Sequence, residues 1–126
     1  MKSAIKIGTT GETTFFVEPT HCIEFATDGM PAVLSTPNLV GILERTARQA
    51  IAPFLAADER SVGVELDLRH LAPSPLGARV TATARVIGVT GRFVAFQIAA
   101  RDEHELIVRG VHQRAVVNVA GFTTRV

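Results

Sequence analysis

The segment from Thr36 to Leu55 restricts this chain more than any other. Its apolar residues Leu39, Leu43, Ala47, Ala50, Ile51 and Phe54 recur with the period of a helix. Val40 and Ile42 widen the stripe until the first half is apolar nearly all round. A helix of that kind is buried on more than one side. Thr36 is the expected N-cap, Pro37 fits the first helical position, and Pro53 should kink or end the helix.

After Phe54 the period changes to two. Val62, Val64, Leu66 and Leu68 alternate with Gly63, Glu65, Asp67 and Arg69. Beyond a break at Pro73, Ser74, Pro75 and Gly77, the residues Val80, Ala82, Ala84 and Val86 alternate with Arg79, Thr81, Thr83 and Arg85. Val94, Phe96, Ile98 and Ala100 form the apolar face of a further strand, and a last long strand is expected from Leu106 to Val119. Gly88 to Gly91 and Asp102 to His104 look like turns. Ahead of the helix, Glu12 to Glu18 reads as a strand ending at Pro19, and Thr27 to Pro37 as an irregular loop.

Short hairpin-like connections imply antiparallel pairing. A long antiparallel sheet with one apolar face must cover that face, and only one long helix is available. A sheet of five strands wrapped round a central helix satisfies both elements. This is the α+β hot-dog arrangement, expected as a single domain over residues 1–126. Such sheets usually join edge to edge between two protomers, which protects an exposed edge strand. The composition agrees: 47% hydrophobic against 20% charged residues leaves apolar surface to bury against a partner. A homodimer is expected.

Several classes are excluded. Thirteen Lys and Arg balance twelve Asp and Glu, with no basic tract, and the aromatics are Phe alone; a nucleic-acid surface needs clustered cations or stacking rings. Cys22 is the only cysteine, so neither a disulfide framework nor a cysteine zinc site forms within one chain. No run approaches the roughly 18 apolar residues that span a membrane. Met1–Lys6 is not followed by the apolar core of a signal peptide, and a reducing cytoplasm is the expected setting.

Glu44 is the most informative polar position, because it follows Leu39–Leu43 in the most apolar part of the helix. A carboxylate seldom lies against a core without a partner. Its plainer reading is the start of a polar face, paired with Arg48 at i,i+4. His70 falls, by parity, on the face of Val62, Val64, Leu66 and Leu68, turned toward the helix. There it is either a general acid or base or a strand-end histidine satisfied by a backbone carbonyl. Thr36 is either just a cap or a hydroxyl beside the free amides of a helix N-terminus, where an anion or developing oxyanion is favoured. His112 and Arg114 share a face of the last strand with Leu106, Val108 and Val116, as a structural pair or a ligand-facing patch. His21, His104 and Cys22 fall in turn-like segments without metal spacing, and no nucleophile elbow or phosphate loop occurs.

Thr36, Glu44 eight residues on and His70 a further 26 on resemble the Thr/Glu/His set of bacterial fluoroacetyl-CoA thioesterases. The similarity continues through Val40–Glu44, Ala52–Leu55, Ser61–Gly63, Ala72–Gly77 and His112–Val116, and covers roughly Thr36 to Phe122. The resemblance implies hydrolysis of an acyl-CoA thioester, with Thr36, Glu44 and His70 as the catalytic residues. Gly63 would line the acyl pocket and Arg114 would join it in binding substrate. It implies no metal and no cofactor. The segment Glu24–Ser35 is shorter than the Phe-bearing lid of the fluoroacetyl-specific enzyme and holds only Phe25, which points to another short acyl group. The competing readings are a non-catalytic hot-dog module that binds an acyl-CoA or similar ligand and, more weakly, a hot-dog hydratase, whose Asp/His pattern is missing.

Overall fold

The change of period after Phe54 is visible in space as one helix lying in a curved sheet. The computed structural model describes residues 1–126, apart from the side chain of Ala26. Helix α1 runs Thr36–Ile51, and a 3-10 turn over Ala52–Phe54, containing Pro53, ends it. Five strands follow the order β1-β3-β4-β5-β2. They are β1 (Thr10–Phe16), β2 (Glu59–His70), β3 (Arg79–Thr90), β4 (Phe93–Arg101) and β5 (Leu106–Asn118). Every pairing is antiparallel. A short helix α2 (Val119–Arg125) ends the chain.

The core is the stripe of α1 against the inner face of the sheet. Leu39, Leu43, Ala47 and Ile51 are fully buried against Val80, Ala82, Ala84, Val86, Val94, Phe96 and Ile98. Alanines at 82 and 84 let the helix approach closely. β1 comes nearer still: a Cβ at Gly11 would stand 2.8 Å from the Thr46 carbonyl oxygen and 2.9 Å from Ala50 Cβ. Only a glycine fits there without displacing backbone.

Four expectations about element ends and connections need correction. Ser35, not Thr36, is the N-cap: its Oγ accepts from the Asn38 amide, and Thr36 is the first helical residue. The buried Ser35 sits one residue earlier on extended backbone, which is where a cap must lie. Next, the β2 to β3 connection is not a hairpin. β2 is an edge strand beside β5, and residues 71–78 carry the chain across to β3 near the opposite edge. The bend holds because Leu71 N–H donates to the Ile107 carbonyl and Leu34 N–H to the Ser74 carbonyl. The turn expected over Gly88–Gly91 shrinks to Gly91 and Arg92, since Thr90 already pairs with Phe93. Gly91 has φ +60°, the left-handed conformation a two-residue hairpin loop requires. Finally, the last strand stops at Asn118, whose side chain accepts from Gly121 N–H and caps α2.

One irregularity shapes the site. β2 pairs Gly63 with Arg114 but Glu65 with Gln113, so Val64 is an extra residue. Such a bulge exchanges the two faces of the strand. Leu66 lies opposite His112 and Gly63 opposite Arg114, and these two partners share a face. Ser61 and Gly63 therefore point inward before the bulge, and Leu66, Leu68 and His70 after it. The assignment of Val62 and Val64 to the inner face is overturned, while that of His70 stands.

Candidate active site

The polar residues singled out above gather in two places. At the N-terminal end of α1, Thr36 Oγ1 and His70 Nδ1 share a hydrogen bond of 2.8 Å. Thr36 is free to make it because Ser35 has taken over the capping. His70 is half-buried, and its buried Nε2 has no hydrogen-bond partner among the described residues. Burial lowers the His70 pKa below its ordinary value, partly offset by the Ala72 backbone. The pair opens into a cavity of about 310 Å³ with apolar walls that include Ile23, Val33, Leu34 and Leu71. A hydroxyl bonded to a neutral imidazole is the arrangement that activates a nucleophile or relays a proton.

The helix N-terminus offers less than expected. Asn38 N–H donates to Ser35 Oγ, Leu39 N–H donates to the Ser35 carbonyl, and Pro37 has no N–H. Most of the first-turn donors are consumed by the cap, so Thr36 does not stand beside a row of free amides.

The second cluster forms where the middle of α1 faces the first half of β2. Glu44 Oε2 lies 3.8 Å from Arg114 Nη1. Among the described residues Glu44 has no ion pair with Arg48, though its side chain is 40% exposed and borders the exposed Arg45, Arg48 and Gln49. Gly63 lies directly beneath the carboxylate, where an added Cβ would be 2.6 Å from Glu44 Oε2 and 3.3 Å from His112 Cε1. Arg114 is 4% exposed and well supplied with acceptors. Its Nε donates to Ser61 Oγ at 2.9 Å, Nη2 to the Ser61 carbonyl at 2.9 Å, and Nη1 to His112 Nε2 at 3.2 Å. Burial pushes its pKa down, Glu44 supports the cation, and Arg48 works against it. Because the guanidinium stays charged in proteins, this is a buried cation with its donors aimed.

Ser61 was not singled out in the sequence. Its inward placement depends on the bulge at Val64, and simple alternation hides that. His112 was noted together with Arg114, and both proposed roles for that pair, structural partner and ligand-facing patch, remain compatible with the contacts. His21 accepts from the Glu18 amide in a 3-10 turn, and Cys22 is buried with Sγ toward the Glu18 carbonyl. Among the described residues neither side chain bonds to either cluster, although the His21 carbonyl accepts from Ser35 N–H and Cys22 bridges Leu34 beside the first. Among the described residues no group of three or more His, Cys, Asp or Glu side chains is placed to hold a metal, and no helix is long and apolar enough to cross a membrane.

Sequence comparison bears on what these clusters serve. Residues 17–120 match the family model described as fluoroacetyl-CoA-specific thioesterase. The chain belongs to the fluoroacetyl-CoA thioesterase family. It is 32% identical to the fluoroacetyl-CoA thioesterase of Streptantibioticus cattleyicolor, over the whole of this chain and 95% of that protein. A crystal structure of a fluoroacetyl-CoA thioesterase superposes with a TM-score of 0.88 at 29% identity, covering 98% of this chain and 96% of the other. A thioesterase superfamily member from Thermus thermophilus reaches the same TM-score at 28% identity, with 97% and 90% covered. The fold is thus the hot-dog fold, and this family member is an acyl-CoA thioesterase. Of the readings left open by the sequence, hydrolysis is the one that family membership supports over a non-catalytic module or a hydratase.

Proposed function

We propose that this thioesterase hydrolyses a short-chain acyl-CoA at a centre made by two copies of the chain. Thr36 and His70 would come from one copy, and Glu44, Gly63 and Arg114 from the other. The observation that carries this reading is the distance between the clusters within one chain. Thr36 and Glu44 begin and bisect one helix, eight residues apart, which is roughly 12 Å along its axis. Gly63 and His70 are seven residues apart on β2, roughly 20 Å at the rise of a strand. Thr36 is itself the first residue of α1.

β2 is bonded to β5 on one side only. If two β2 strands pair antiparallel about Asp67, Leu66 of one copy lies opposite Leu68 of the other, and the bulge at Val64 brings Gly63 beside the other copy's His70. An isologous twofold contact would make both sites at once. Val64 and Leu66, exposed on this strand, would gain cover in the pairing.

In such a centre Glu44 draws a proton from the attacking water as its oxygen bonds the thioester carbonyl carbon. The C–S bond then breaks, and the proton taken up by Glu44 is passed to the departing CoA thiolate by way of His70, oriented by Thr36. Gly63 and Arg114 border the acyl group. The small apolar cavity beside His70 suits a short acyl chain, of which fluoroacetyl is one candidate. The lone buried Cys22 is compatible with a reducing cytoplasm.

Mixing the inactive variants Thr36→Ala and Glu44→Gln tests the shared centre, with thiol release from acetyl-CoA, propionyl-CoA and fluoroacetyl-CoA as the readout. Exchanged heterodimers carry one intact site of two and recover up to about half the wild-type activity per mixed dimer. Demonstrated subunit exchange with no recovery rules the model out.

A further inference from the structure

We propose that His112 is a positioning residue for the hydrolysis: its imidazole, fixed between the Glu65 carbonyl and the Arg114 guanidinium, holds that guanidinium off Glu44 and keeps the carboxylate available as a base. The proposal rests on the reading of Glu44 as the base.

His112 is 3% exposed and lies on the inner face of β5, stacked on Phe96 with ring centroids 6.1 Å apart. Both ring nitrogens are engaged: Nδ1 is 2.8 Å from the Glu65 carbonyl and Nε2 is 3.2 Å from Arg114 Nη1. A carbonyl only accepts and a guanidinium only donates. The proton is therefore on Nδ1, and the lone pair of Nε2 receives Arg114. One neutral tautomer satisfies both neighbours. The charged groups that act on the ring are Arg114 on β5 and Glu44 on α1, with Arg48 on α1 acting on Arg114, whereas β4 offers the uncharged Phe96. Burial, the largest influence, lowers the His112 pKa, and Arg114 adds to it against the Glu65 carbonyl and Glu44.

The separation of Arg114 from Glu44 is informative. At 3.8 Å it is an ion pair, longer than the 2.7–2.9 Å or so of a charge-assisted hydrogen bond. Three of the five guanidinium N–H groups have acceptors, two on Ser61 and one on His112, and these fix its plane so that the second Nη1 N–H is left no nearer to Glu44 than 3.8 Å. Without the His112 lone pair to hold it, Nη1 is free to swing toward the Glu44 carboxylate 3.8 Å away. A carboxylate gripped by a guanidinium is a weaker base, and its pKa falls.

His112 also secures the bulge. The carbonyl it binds belongs to Glu65, the residue just after the extra Val64, and that register shift is what turns Gly63 beneath Glu44. One imidazole thus ties the backbone under the carboxylate to the cation beside it.

The test compares His112→Gln with His112→Phe, using acetyl-CoA and propionyl-CoA as substrates and kcat measured against pH. Gln retains one donor and one acceptor, and Phe retains the ring stack on Phe96 without a lone pair. The proposal expects His112→Gln to stay within about threefold of wild type. It expects His112→Phe to lose about tenfold or more in kcat at near-constant KM, with its acid limb moved to lower pH. A merely structural histidine would alter stability and leave that limb in place. If His112→Phe does not fold, Ser61→Ala, which removes one acceptor from the same guanidinium, must lower kcat with the same displacement of the limb. A folded His112→Phe, or failing that a folded Ser61→Ala, with wild-type kcat and an unmoved acid limb overturns the proposal. Glu44→Gln in the same assay separates the two ideas. An active Glu44→Gln rejects the base assignment itself, whereas an inactive Glu44→Gln beside an unaffected His112→Phe rejects only the positioning role.

Discussion

The carboxylate of Glu44 occupies the space that any side chain at position 63 would need: a Cβ built on Gly63 lies 2.6 Å from Glu44 Oε2. The contact joins the middle of α1 to the inner face of β2. The atom that must yield is the tip of a flexible side chain, so the cost of a substitution falls on function more than on folding. Gly63→Ala should leave the melting temperature within a few degrees of wild type. It should lower kcat/KM on the best thioester by about tenfold, since small misplacements of a reacting group are expensive. Unchanged kcat/KM in a folded Gly63→Ala enzyme would detach this glycine from the reaction centre.

Glu44→Gln and His70→Ala each remove a proton-transferring group. Turnover should drop by about 100-fold or more in either case, with circular dichroism unchanged. Thiol release measured at saturating acyl-CoA checks this, and a folded variant with full turnover excludes its residue from the mechanism.

Stability should depend on pH through two histidines, the half-buried His70 and the buried His112. His70 and His112 both have pKa values held below the ordinary 6.5, in each case chiefly by burial. A depressed histidine pKa means that the unfolded chain binds more protons than the folded one. The associated stability is fully present above pH about 6.5 and is lost as pH falls from there toward the folded-state values. Melting temperatures should be nearly constant above pH about 7 and decline on acidification. His70→Asn should reduce the slope of that decline, and an equal slope in the variant contradicts the assignment.

Gly11 is set differently from Gly63. A Cβ there meets the Thr46 carbonyl oxygen and the Ala50 side chain, so backbone has to shift. Gly11→Ala should destabilise the fold by about 1–3 kcal/mol, the usual cost of overpacking, with kcat per folded molecule retained. Urea unfolding monitored by circular dichroism measures it.

Much of this was legible in the chain itself. The helix and the alternation after Phe54 were sufficient for the central helix and the antiparallel sheet, because both follow from which faces must be dry. Parity put His70 inside correctly, although Val62 and Val64 were misplaced on the same argument: one extra residue at Val64 reverses the strand, and no local pattern announces it. The edge position of β2 was hidden for a related reason. Pro73, Ser74, Pro75 and Gly77 look the same in a hairpin and in a bend that leads elsewhere, and the choice depends on distant anchors such as Ile107 and Leu34. Thr36 looked like a cap because Ser35 and Thr36 are both good ones, and the buried position selects Ser35. Ser61 and α2 carried no signal until β5 was in place to display one.

The edge position of β2 also bears on how the molecule comes into being. β2 is the second strand of the chain, yet its sole sheet partner is the last, β5. Hairpins β3–β4 and β4–β5 close locally and cheaply, whereas β2 must wait through the synthesis of all three before it can be bonded. Gly63 and Arg114 meet only at that final step. A chain that stalls or is cut before β5 would still form a hairpin and a helix but no reaction centre. Catalytic competence in this enzyme therefore reports completed folding.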